Sequence, residues 1–158
     1  MFLNNYRSYE KEPQRFNKEK YKTIKDIYSI KEQLGKGSFS NVFKILNKED
    51  NRNYALKIIK KNSCSILNDS YNEIKILSEM KKKEKNNITK LYKTFYLDEH
   101  LCIVFKLYDI NLKKYIIKNG PMHLEKIKIV LNQILHSLDY LQSNRIIHRD
   151  VKLDNILF

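Results

Sequence analysis

The sequence predicts an α+β fold: an antiparallel sheet carrying one helix, followed by a helical second half. Three observations predict it. Strand-like runs flank a loop holding two of the chain's three glycines. The segment 67–77 has helical rather than strand periodicity, and a second helical stripe runs through 127–141.

Each element follows from local pattern. Residues 28–34 alternate as a strand does, and Val42-Phe43-Lys44-Ile45-Leu46 reads as its hairpin partner. Between them lies Leu34-Gly35-Lys36-Gly37-Ser38-Phe39-Ser40-Asn41-Val42. Scarce glycine marks places where other residues cannot go, and a bare hairpin tip can bring backbone N–H groups to a ligand. The loop opens no helix, as a dinucleotide fingerprint would, and does not end in Gly-Lys-Ser/Thr, as a Walker A loop would. A plain hairpin turn is the alternative. A turn-rich stretch, 47–53, leads to Tyr54-Ala55-Leu56-Lys57-Ile58-Ile59, with Ala55, Lys57 and Ile59 on one face and Leu56 and Ile58 on the other. A mid-strand lysine among apolar residues is unfavourable unless its ammonium meets an anion; an edge-strand lysine facing water is the alternative. Leu67, Tyr71, Ile74 and Leu77 make a helical stripe, and Glu73, four before Leu77, leans to the same side. By itself Glu73 reads as a solvated carboxylate, but opposite Lys57 it would hold that lysine in place. Gly120-Pro121 ends a further helix. Beyond it Ile127, Leu131, Ile134, Leu138 and Leu141 recur at spacings of four and three, an amphipathic helix that needs burial.

Composition excludes several classes. A chain of 158 residues, 42% hydrophobic and 31% charged, suits one globular domain. The longest apolar runs, such as 101–105, are five residues, too short to cross a bilayer. The N-terminus has no apolar signal region, and Phe2 stands where myristoylation needs glycine. Cys64 and Cys102 lack metal-ligand spacing and read as free thiols of a reducing compartment, cytoplasmic or nuclear. A net charge of +13 suggests nucleic acid or an anionic membrane surface. But 26 of the 31 basic residues are lysine, and Lys, Ile and Asn make up 63 of 158 residues, the mark of A- and T-rich codons. A phosphate-reading surface would favour arginine's planar fork, so nucleic-acid binding is disfavoured.

The chain closes on Ile146-Ile147-His148-Arg149-Asp150-Val151-Lys152-Leu153-Asp154-Asn155-Ile156-Leu157-Phe158. With the glycine loop, the Ala-Leu-Lys strand and the helix glutamate upstream in order, it closely resembles the eukaryotic protein kinase family, serine/threonine type, from Tyr28 to Phe158. Residues 1–27, with seven basic and four acidic side chains and no clear period, read as a basic flexible leader. The resemblance implies a protein-kinase-like fold, with 28–108 the N-lobe and hinge and 109–158 a partial C-lobe ending after the catalytic loop. It implies ATP and Mg²⁺ as cofactors and a protein with a Ser/Thr hydroxyl as substrate.

Residue by residue, the resemblance places Leu34, Gly35, Lys36, Gly37, Ser38, Phe39, Ser40 and Val42 over the ATP phosphates, and Lys57 on the α- and β-phosphates, held by Glu73. Asp150 would accept the substrate hydroxyl's proton, Lys152 would meet the γ-phosphate as in serine/threonine kinases, and Asn155 would bind Mg²⁺. Val42 and Ala55 would roof the adenine slot and Leu157 floor it. Phe105 would be the gatekeeper, the backbones of Lys106 and Tyr108 would bond adenine, and Asn111 falls near the ribose position. His148 would pack with Leu77 and Leu91 in a hydrophobic spine, whereas His100, His123 and His136 read as surface residues and 81–85 as a solvated loop. Three departures stand out: Ser40 replaces the third loop glycine, Lys106 the usual hinge glutamate, and Leu153 the usual proline.

The family continues into an Asp-Phe-Gly segment that this sequence does not contain. The expectation is therefore a chain inactive by itself, its last helix loose or covered by a partner. The rival readings are a non-catalytic, pseudokinase-like module that binds nucleotide or a partner, and a basic RNA-binding protein.

Overall fold

A computed structural model describes residues 27–60, 64–80, 87–97 and 100–158. Residues 1–26 of the leader and the 81–85 loop lie outside them, but Ile27, expected in the leader, is buried in the core and its carbonyl accepts from Lys48 N–H at 2.8 Å. Five strands, β1 (Tyr28–Lys36), β2 (Ser40–Asn47), β3 (Arg52–Ile59), β4 (Leu91–Leu97) and β5 (His100–Lys106), form one sheet in the order β1-β2-β3-β5-β4. Helix α1 (Cys64–Met80) interrupts the strands, and α2 (Leu112–Asn119), α3 (Leu124–Ser143) and a 3₁₀ turn (Leu153–Asn155) follow them. The chain divides into two compact units. One comprises the described residues up to Ile74 with Tyr92–Phe105; the other comprises Lys75–Leu91 with Lys106–Phe158.

In the first unit apolar side chains are buried on both faces of the sheet: Ile59, Leu101 and Ile103 on one, and the main cluster on the other. Ile45, Leu56, Phe95, Cys102 and Val104 are all but inaccessible, with Phe43, Tyr54 and Ile58 packed against them. Period two explains which residues these are: Tyr54, Leu56 and Ile58 share the main cluster's face, leaving Ala55, Lys57 and Ile59 on the other. Tyr28 stacks on Phe95 at a centroid distance of 6.1 Å. Burial pushes the Cys102 thiol up to about 12, so it stays a neutral, free thiol. The β2–β3 turn is built by its own side chains: Asn47 accepts from Glu49 N–H at 2.9 Å, Asp50 from Arg52 N–H at 3.0 Å, and Asn51 takes φ 55°. Tyr54 donates its hydroxyl to Asp50 at 2.6 Å, which raises the phenol to about 12 and lowers the carboxyl.

In the second unit α2 is capped at both ends, whereas α3 has no side-chain cap at His123. Asn111 Oδ1 accepts from Lys114 N–H at 2.8 Å, capping α2, and Gly120 ends it at φ 78° with its N–H on the Ile116 carbonyl. The chain end returns to this cap. Leu112 N–H donates to Ile156, Asp109 N–H to Phe158, and Phe158 N–H to Ile110.

Two expectations need correcting. The stripe predicted on α3 is covered only toward its C-terminus: Leu141 is buried and Ile134 and Leu138 are half-buried, but Ile127 and Leu131 are exposed. Val130, which the stripe omitted, is buried instead, because the covered face is rotated toward it. His148, expected to pack, is exposed, while His100, His123 and His136 are exposed as expected. No helix among the described residues is long and apolar enough to cross a membrane.

Candidate active site

The predicted site residues fall into two groups, one in each unit. In the first, the β1–β2 hairpin is tighter than its motif suggests. Gly35 and Lys36 still belong to β1, paired with Val42 and Asn41, so the loop proper is three residues, Gly37, Ser38 and Phe39. Two irregularities in β1, between Ile30 and Glu32 and between Gln33 and Gly35, shift the register just before it. The expectation that both glycines stand where no other residue could go is not met conformationally. Neither has a positive φ, a Cβ on Gly35 would meet nothing within 4 Å, and one on Gly37 would meet only the Ser40 carbonyl at 3.4 Å. The glycines keep the hairpin uncovered rather than making its turn possible. Nor is every N–H at the tip bare, because Gly37 N–H donates to the Ser40 carbonyl at 2.8 Å.

The ladder carries the site onward. Val42 pairs with Lys57 and Lys44 with Ala55, so Val42, Ala55 and Lys57 share the face opposite the main cluster. Lys57 Nζ donates to Glu73 Oε2 at 2.6 Å, with the two side chains 25% and 38% exposed. The mid-strand lysine thus finds its anion on α1, not in water, and the solvent-facing alternatives for both residues fall away. A cavity of about 440 Å³ opens beside this pair, lined by Phe39, Ser40, Lys57, Ile59, Ile66 and Glu73 among others. Phe39 is exposed at the loop tip, and Phe105 is half-buried at the end of β5. Leu34 is half-buried, and Lys36 and Ser38 are exposed.

The second group centres on the turn after α3. Asp150 Oδ2 accepts from Lys152 Nζ at 2.7 Å and from Asn155 Nδ2 at 3.0 Å, while the same amide also donates to the Asp150 carbonyl at 2.8 Å. The Lys152 ammonium, then the Asn155 amide, hold the Asp150 carboxyl below the usual carboxylate range; in return Asp150 raises Lys152. Arg149 takes φ 67°, a left-handed conformation that turns the chain into this cluster. Both bonds fall on Oδ2, leaving Asp150 Oδ1 to receive a proton. Asn155 spends its amide hydrogens on Asp150, leaving its side-chain oxygen for a cation.

Lys106 N–H donates to the Lys90 carbonyl at 2.9 Å, so its carbonyl is the group able to face a base. Its ammonium lies 4.9 Å from the centre of the half-buried Tyr108 ring. Leu157 bridges to Asn111, whose oxygen is committed to capping α2. Sequence reading missed three contacts. Lys60 reaches Gly37, Lys113 pairs with Asp154 at 3.6 Å, and His148 Nδ1 accepts from Asp150 N–H at 3.3 Å. Lysines at a strand end and on a helix surface carry no pattern that could have singled them out. His148 was noticed, but for packing.

The comparisons with known proteins agree in direction. The protein kinase domain family model matches residues 28–158. Dual specificity tyrosine-phosphorylation-regulated kinase 2 of Drosophila melanogaster is 36% identical over 135 residues, covering 82% of this chain and 19% of that protein. Serine/threonine-protein kinase prp4 of Schizosaccharomyces pombe is 30% identical over 136 residues, covering 82% and 28%. Calcium-dependent protein kinase 5 of Plasmodium falciparum is 36% identical over 137 residues, covering 85% and 24%. The chain therefore spans 19–28% of the length of these relatives. A crystal structure described as a kinase domain matches with a TM-score of 0.78 at 26% identity, covering 91% of this chain and 43% of that one.

Proposed function

The chain belongs to the protein kinase family, and from that premise we propose that it supplies the nucleotide-handling and catalytic-loop part of a serine/threonine protein kinase. In this reading residues 28–108 are the N-lobe and hinge and 109–158 part of the C-lobe. The observation that carries the proposal is the Asp150 carboxylate, held by Lys152 and Asn155 through one oxygen with the other left over.

Phosphoryl transfer asks a protein mainly to position groups and stabilise charge. Bound ATP with Mg²⁺ supplies the phosphoryl group and the metal's charge. Lys57, oriented by Glu73, is the cation for the inner phosphates, and the hairpin tip from Gly37 to Ser40 covers them. Asp150 Oδ1 accepts the hydrogen bond of a Ser or Thr hydroxyl and takes its proton. Lys152, now on Oδ2, is the cation within reach of the transferring group. Asn155 would offer Mg²⁺ one neutral oxygen, a partial donor set, since Mg²⁺ is usually held by one or two carboxylates with phosphates and waters and the family's Asp-Phe-Gly segment is not in this sequence. By the family resemblance Val42 and Ala55 in the first unit and Leu157 in the second would contact the base, Phe105 would be the gatekeeper, and the backbones of Lys106 and Tyr108 would bond adenine. Asn111, its oxygen engaged in the cap, has its amide hydrogens for a ribose hydroxyl.

The test uses the full-length protein with Mg²⁺-ATP and Ser- or Thr-containing peptides. Asp150→Asn is expected to lower phosphate incorporation by about 10²–10⁴-fold while leaving the binding of a non-hydrolysable ATP analogue intact. Incorporation by Asp150→Asn at the wild-type rate, or wild-type protein that binds no ATP analogue, overturns the reading.

A further inference from the structure

The tip of the glycine loop is held by hydrogen bonds from both sides, and Lys60 makes two of them. Its N–H donates to the Phe39 carbonyl at 2.9 Å, one step past the last β2–β3 pair, Ser40 with Ile59. Its Nζ reaches back across 23 positions to donate to the Gly37 carbonyl at 2.6 Å. The turn's own bond runs from Gly37 N–H to the Ser40 carbonyl at 2.8 Å.

The loop's conformation does not lock it. Its glycines have no positive φ and no hard contact at the Cβ position, so backbone strain does not fix the tip and its hydrogen bonds do. A charge-assisted bond to the tip therefore bears directly on where the tip rests. Charge points the same way. The Lys57 ammonium is matched by Glu73, whereas Lys60 places its charge on a neutral carbonyl at the loop tip, with Asp69 among the groups lining the cavity nearby. An uncapped carbonyl keeps its full negative end, and the ammonium on Gly37 offsets the repulsion it would exert on a polyphosphate held nearby.

We propose that Lys60 is a positioning residue for the nucleotide: through the Gly37 carbonyl it holds the loop tip over the phosphates and keeps that carbonyl from repelling them. This deepens the kinase reading and rests on it. The contribution grows with the number of phosphates and is absent for a ligand that has none.

The experiment compares wild type, Lys60→Met and Lys60→Arg in the full-length protein. Binding of adenosine, ADP and a non-hydrolysable ATP analogue is measured by calorimetry, and exchange of the 37–40 amides by mass spectrometry. Lys60→Met should weaken the ATP analogue about three- to tenfold, the scale of one exposed charge-assisted bond, and ADP less. Adenosine should stay within about twofold, because it carries no phosphate charge. The loop amides should exchange faster in Lys60→Met, and Lys60→Arg should restore both properties. Equal weakening of adenosine and ATP analogue would mean a merely structural lysine and would overturn the proposal, as would unchanged loop exchange in Lys60→Met. If wild type binds none of the three ligands, the kinase reading fails. The proposal then falls with it, an outcome distinct from nucleotide binding that Lys60→Met leaves unchanged, which overturns the proposal alone.

Discussion

Asp150 and Lys152 show how two exposed side chains can fix each other's charge. The carboxyl is held below its ordinary value first by the lysine and then by Asn155, and the lysine is raised by the carboxyl. For Asp150, the contact's contribution is fully present above the unfolded value, about 3.9, and is lost as pH falls through the lower folded one. For Lys152 it is present below about 10.4 and lost as pH rises through the higher folded value. The pair therefore stays charged throughout the neutral range. Lys152→Met should move the Asp150 carboxyl up toward its ordinary value, as read by carbon-13 NMR titration, and any acid limb in a pH–rate profile should move up with it. An unmoved titration would show that the bond contributes nothing in solution.

At the scale of elements, α2 shows how a short helix is held. Eight residues are too few to be helical on propensity alone, so its ends and its contact with the chain terminus matter. Asn111 satisfies an orphan N–H at one end, Gly120 turns the chain at φ 78° at the other, and Lys118 sits in the last turn, where the helix dipole favours a cation. Asn111→Ala should cost about 1 kcal/mol, whereas Asn111→Asp should cost little, because aspartate caps equally well. Gly120→Ala should destabilise by about 1–3 kcal/mol, because φ 78° with ψ −170° is backbone that essentially only glycine adopts. Urea denaturation of the three variants checks this order. A midpoint for Asn111→Ala equal to that of Asn111→Asp would place the capping bond outside the folded ensemble.

At the scale of the molecule, the outstanding feature is the apolar stripe left on α3. Leu124, Ile127, Leu131 and Leu135 are 45–65% exposed and lie along one side of the helix. Contiguous exposed apolar surface of this kind favours association. The 158-residue chain by itself is expected to self-associate with rising concentration in sedimentation velocity, and Leu131→Lys with Leu135→Lys to return it toward monomer. A wild-type chain monomeric across the range would show the stripe to be inert.

Much of this protein was legible from its residues in order. Period two placed Lys57 on the opposite face from Leu56, period 3.6 placed Glu73 on α1, and the run from His148 to Asn155 declared its family, because phosphoryl transfer leaves few substitutes at those positions. Gly120 announced the end of α2 for a similar reason, since few other residues accept its backbone. Contacts between residues far apart in sequence were not legible, because flexible side chains at ordinary positions carry no periodic mark: Lys60 on Gly37 and Lys113 beside Asp154. The tertiary structure also decided which side of α3 is covered. A helical stripe specifies a face to bury, but only packing selects the residues that reach the interior, and here it rotated the covered face from Ile127 and Leu131 toward Val130 and Leu141.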